Sequence, residues 1–161
     1  MKRLLITTAL STAALHWCVM AVNAAETDAS ALRRELAQFD RDVGSGNLDG
    51  MMMLFGDDAV ILGAGQAPII GKPAIRAWWK GILEQFDVKG VHELGEVTSI
   101  GDVTVMQGQG RGTLTPKAGG PTVPIENWIL HIYRRRPDGS LRFWRGAFGP
   151  AAPAARTIGT K

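Results

Sequence analysis

Cysteine is nearly absent. The 161-residue chain carries one, Cys18, and it lies in the apolar N-terminal run MKRLLITTALSTAALHWCVMAVNAA, so the remainder has no thiol for a disulfide, a metal or a nucleophile. Other catalytic signatures are missing too: no phosphate loop, no G-x-S-x-G elbow, no zinc-spaced histidine pair and no nicotinamide fingerprint. The expectation is therefore no metal and no cofactor. Charge excludes little more. Of the formal net charge of +3, two units come from Lys2 and Arg3, so the chain beyond that run is close to neutral. Nucleic acid is a poor default partner, and no aromatic interleaving of the kind single-strand binders use accompanies the arginines. No repeat at solenoid periods is present.

What is there begins with a leader. Lys2 and Arg3, an apolar stretch and the small residues Val22-Asn23-Ala24-Ala25 form a secretory signal over residues 1–25, cleaved after Ala24 or Ala25. It predicts a periplasmic or secreted protein with no membrane contact after cleavage. His16-Trp17 before Cys18 argue against lipid attachment, which wants small residues there. At the other end, PAAPAARTIGTK over 150–161 has little to bury and reads as a disordered tail. One domain over 27–149 remains.

Within it the hydrophobic period changes once. Thr27 to Ser30 offer caps for a helix to about Val43 whose stripe is Leu32, Leu36, Phe39 and Val43. Asn47 caps a short second helix carrying Leu48, Met51, Met52 and Phe55 on one face. A strand follows near Ala59–Leu62, then Gly71-Lys72-Pro73 starts a third helix with Ile75, Trp78, Trp79, Ile82 and Leu83 as its buried stripe. From Val88 on, alternation takes over. Strands are predicted over Val88–Thr98, from Val103, over Val123–Arg136 and over Leu141–Phe148, with Pro137-Asp138-Gly139 turning the last pair. Helices first and strands after give an α+β domain, about three helices on one face of a curved antiparallel sheet.

The ordered motifs GNLDG, LFGDDAV and GKPAIRAWW, closed by WILHIYRRRPDGSLRFWRGAFG, resemble the SnoaL-like and DUF4440 families of the NTF2-like, ketosteroid isomerase-like superfamily. The resemblance implies a cone with an apolar pocket at its wide end and a homodimer formed through the sheet. It does not imply a reaction. Ketosteroid isomerases pair an aspartate base with a tyrosine and a protonated aspartic acid. Motif matching places Gly63 at the base, Phe39 at the tyrosine, with Asp40 beside it, and His131 at the second aspartate. Ketosteroid isomerase chemistry is thus not supported.

His131 is the foremost candidate for catalysis. Alternation sets it on one strand face with Asn127, Ile129 and Tyr133, opposite Trp128, Leu130 and Ile132. On a pocket wall it would be a proton donor or acceptor; the plainer reading is a core histidine bonded to a carbonyl. Asp40 is a second candidate, more simply a solvated helix residue. Asn127 orients a ligand carbonyl or satisfies backbone. His92 faces the same pocket from a neighbouring strand or, the plainer reading, solvent. Trp144 and Phe148 alternate onto one face, the pocket side by the family match, and with Trp78 supply ligand contact or core packing. The expectation is a domain that binds a small, largely apolar or carbonyl-containing ligand. The alternatives are an isomerase, dehydratase or hydrolase using His131 as general acid or base, and a dimerisation or protein-interaction module.

Overall fold

The computed structural model describes residues 11–151, with side chains from residue 28 onward. Three helices, α1 (Ser11–Ser45), α2 (Leu48–Met52) and α3 (Lys72–Gln85), pack on one face of a six-stranded sheet. Its strands are β1 (Phe55–Gly63), β2 (Ile69–Ile70), β3 (Phe86–Ile100), β4 (Val103–Pro116), β5 (Val123–Arg135) and β6 (Leu141–Pro150). They lie in the order β2-β1-β6-β5-β4-β3. Every pairing is antiparallel except β1 with β6.

The periodic residues form the core as their spacing requires. Leu32, Leu36, Phe39 and Val43 are all buried against Met51, Met52, Phe55 and Ile75. Asn47 caps α2, its side chain accepting from the Gly50 amide at 3.2 Å. The β5–β6 turn closes with Gly139 at φ 81° and Asp138 accepting from Ser140 N at 2.9 Å.

Several strand ends shift by one or two residues, β2 is an addition, and two helix boundaries differ from the sequence reading in ways that matter to packing. Helix α1 runs unbroken from Ser11, through the expected cleavage site, so Asp28 is not a cap. It is buried, and its carboxylate accepts from Ser99, Thr104 and Arg135 on three strands. Burial alone would raise the Asp28 pKa, but the bonds from Ser99 and Arg135 outweigh it and the net shift is downward. Helix α2 stops before Phe55, which joins β1 and pairs with Phe143. No described helix is long and apolar enough to cross a membrane. The first ten residues of the expected leader, and the tail past residue 151, lie outside the described residues.

Candidate functional site

Long, curved strands leave a hollow between the sheet and helices α1 and α3. The cavity is about 180 Å³. Its wall is mostly apolar, with Leu36, Phe39, Leu54, Phe55, Trp78, Trp79, Ile129, Phe143 and Phe148. Among these are set Asp40, His92, Asn127 and His131, and Lys89 and Arg111 of the neighbouring strands also line the hollow. Alternation along β5 holds here: Asn127, Ile129 and His131 face the cavity, while Trp128 and Leu130 are exposed on the other side.

His92 is not a solvent histidine. Its Nδ1 lies 2.6 Å from Asp40 Oδ1, and its backbone N–H donates to Asp40 Oδ2 at 2.9 Å. One carboxylate from α1 therefore grips both the ring and the edge-strand amide. With Nδ1 committed to the carboxylate, Nε2 is the nitrogen left for the cavity. Asp40 is correspondingly only 15% exposed, not a solvated helix residue. The Phe39 ring stands edge-on to His92 at 5.7 Å.

His131 meets this pair from β5. The two imidazole centroids are 6.1 Å apart. On its other side His131 Nδ1 is 3.2 Å from the hydroxyl of Tyr133, the only tyrosine in the chain, and Phe143 stands edge-on at 5.0 Å. Gly146 makes that packing possible: a Cβ there would fall 2.3 Å from Phe143 Cζ and 2.9 Å from His131 Cδ2. The site is thus a row, Asp40, His92, His131, Tyr133, of which the sequence reading named three members and placed the fourth on the right face without assigning it a role.

Trp144 does not join Phe148 in the cavity wall. A bulge between Ile132 and Tyr133 on the β5–β6 ladder pairs Ile132 with Arg145 and Tyr133 with Phe143, which leaves Trp144 as the extra residue and reverses the alternation. Phe143 points inward in its stead. The Trp144 indole donates to Asp58 at 3.0 Å, with Arg134 stacked 3.4 Å and Arg145 4.4 Å from its centroid. Asn127 satisfies backbone groups: with its amide nitrogen toward β6, that nitrogen donates to Gly149 O at 3.3 Å and Glu126 O at 3.2 Å. Trp78 lines the cavity beside Trp79, whose buried indole N–H has no partner among the described residues.

A model of the SnoaL-like domain matches residues 36–153, nearly the whole fold and every residue of this site. The chain belongs to the SnoaL-like family. Solved structures agree with the fold at low identity. A conserved protein from Planctomyces limnophilus superposes with a TM-score of 0.72 at 20% identity, covering 78% of this chain and 99% of that one. A ketosteroid isomerase-like protein from Erwinia carotovora gives 0.68 at 20%, covering 77% and 96%. A candidate dehydratase of the NTF2-like family from Streptomyces avermitilis gives 0.67 at 16%, covering 80% and 99%. No curated protein matches the sequence.

The electrostatics of this SnoaL-like site keep His131 uncharged. Burial, with the neighbouring His92 adding to it, pushes His131 down to about 3 from 6.5, so its ring is neutral at ordinary pH. Burial, with Asp40 and Glu35 nearby, raises the Tyr133 pKa, so the phenol keeps its proton. Linkage gives the sign. An unfolded His131 takes up a proton below about 6.5 and the folded one does not, so this contribution is complete above 6.5 and is lost as pH falls toward 3. Between pH 6.5 and 4 the SnoaL-like domain should lose about 1 kcal/mol of stability per pH unit to this group. Urea unfolding at both pH values checks it: a His131→Asn variant should show a flatter acid limb, and an unchanged slope would refute the assignment.

Proposed function

We propose that the cavity takes a small, largely apolar molecule bearing a carbonyl group, and that His92, held by Asp40, moves a proton on it. The observation that carries this reading is the 2.6 Å contact between Asp40 and His92 inside a mostly apolar cavity. Asp40 fixes the tautomer in which Nε2 is an acceptor and would stabilise the imidazolium formed on protonation.

His131 takes a different part from the one its sequence position suggests. A ring whose pKa is near 3 is a weak base, but a neutral imidazole paired with a phenol is a good hydrogen-bonding partner for a ligand oxygen. When the Tyr133 hydroxyl donates to Nδ1, the His131 Nε2–H is a donor aimed away from Tyr133. It can hold a carbonyl oxygen as negative charge grows there. Proton removal beside a carbonyl, followed by return at another carbon or by loss of a hydroxyl, is isomerase or dehydratase chemistry. The dehydratase named among the structural neighbours is consistent with that class.

Acetophenone supplies a test: one ring, one carbonyl and exchangeable methyl protons. In deuterated buffer the wild-type chain should accelerate deuterium uptake into that methyl group, followed by NMR. His92→Gln should remove the acceleration, a loss of about 10²-fold or more by the usual worth of a general base. Binding without exchange would leave a ligand carrier and end the catalytic reading. Neither binding nor exchange would end both.

A further inference from the structure

The inward column of β4 is Met106, Gly108, Gly110 and Gly112, and its three glycines are not alike. A Cβ on Gly108 would lie 2.2 Å from the Glu93 carbonyl oxygen, and one on Gly112 would lie 2.0 Å from that of Lys89. Both are backbone collisions, so these two positions serve the close approach of β3 to β4. Gly110 is different. Its φ is not positive, and the nearest atom to a Cβ there is Ile129 Cγ2 at 4.0 Å. The fold gives no steric reason for glycine at this position, and a bare residue inside a strand costs stability.

What lies over Gly110 is the cavity. The ladder sets it directly between His92 on β3 and Asn127 on β5, and all three line the hollow with Ile129. We infer that Gly110 is the specificity-determining residue of the site, left without a side chain so that a flat one-ring molecule can lie on the backbone between His92 and Asn127. This rests on the cavity being a ligand site, as proposed above. The size agrees. A hollow of about 180 Å³ is near that of a cavity known to hold benzene, about 150 Å³. It is below the roughly 300–1,000 Å³ of drug-sized sites. A methyl group at position 110 would take space from the ring while colliding with nothing, and an isopropyl group would take more of it.

Four variants, Gly108→Ala, Gly110→Ala, Gly110→Val and Gly112→Ala, separate a fold role from a ligand role. Thermal unfolding should show the first and last lowered by roughly 5–10 °C. Gly110→Ala should be unchanged or raised by a few degrees, since alanine restricts the unfolded chain. Acetophenone affinity, read by NMR titration, should fall at least about 10-fold in Gly110→Val, by the usual worth of a methylene in a tight pocket. A Gly110→Ala protein as destabilised as its neighbours would overturn the inference, because the glycine would then serve the fold. Stable variants that bind acetophenone as the wild type does would also overturn it and leave the ligand-site reading standing. A wild-type chain that does not bind acetophenone would end both.

Discussion

In deuterated buffer the Asp40→Asn protein exchanges the methyl protons of acetophenone about 10²–10³-fold more slowly than the wild type, by the usual worth of a base and its orienting partner. The cause is a tautomer. Asp40 accepts from His92 at Nδ1 and again from its backbone N–H. An asparagine can still accept from the amide, so the geometry survives, but its NH₂ group would donate to Nδ1. The ring proton then moves to Nε2. The nitrogen facing the cavity becomes a donor where the reaction requires an acceptor.

Nitrogen-15 shifts of His92 read this without any ligand. Wild type should show protonated Nδ1 and bare Nε2, and the variant the reverse. Unchanged shifts with unchanged exchange would remove Asp40 from the mechanism. A structural role alone predicts another pattern, lower stability with the wild-type tautomer. The assignment therefore does not depend on rate.

The inward face of β5 could be read because it rests on a period of two and nothing else. His131, Ile129 and Asn127 fall where alternation puts them. Likewise the stripe of α1 needed only the spacing of Leu32, Leu36, Phe39 and Val43. Trp144 was misplaced for the same reason: alternation assumes an unbroken ladder, and a one-residue bulge opposite Ile132 and Tyr133 sets the start of β6 half a period out of phase with its end. Phe148 still points inward because the parallel pairing of Gly63 with Phe148 and the antiparallel pairing of Ile129 with Phe148 fix it beyond the bulge.

The Asp40–His92 pair was not legible at all. The two residues are 52 positions apart, and each by itself resembles an ordinary polar residue at the edge of an amphipathic element. Only the packing of α1 along β3 turns them into a unit. Residue chemistry alone favoured His131, whose depressed pKa suits it to a neutral role, over His92, whose partner sits on another element. Tyr133 was on the right face, yet a buried phenol has no sequence mark that separates it from core.

Phe143 is where the architecture and the site share one side chain, and Phe143→Ala should cost about 3–5 kcal/mol of folding stability. The ring is 3% exposed and stands edge-on to Phe55 at 5.1 Å, His131 at 5.0 Å and Tyr133 at 5.9 Å, with its backbone N–H donating to Leu54 at 2.8 Å. Truncation would empty the space between β1 and β5, and the neighbouring rings are too constrained to collapse into it. Against a typical domain stability of roughly 5–15 kcal/mol, such a loss leaves the fold marginal. Phe143→Leu separates the two roles. Leucine fills much of the volume, so most of the stability should return. The edge-on contact that positions His131 would still be lost, and the exchange rate should stay low while urea unfolding recovers. Recovery of both would show that Phe143 only fills space; a Phe143→Ala loss under about 1 kcal/mol would show that the packing between β1, β5 and β6 does not depend on it.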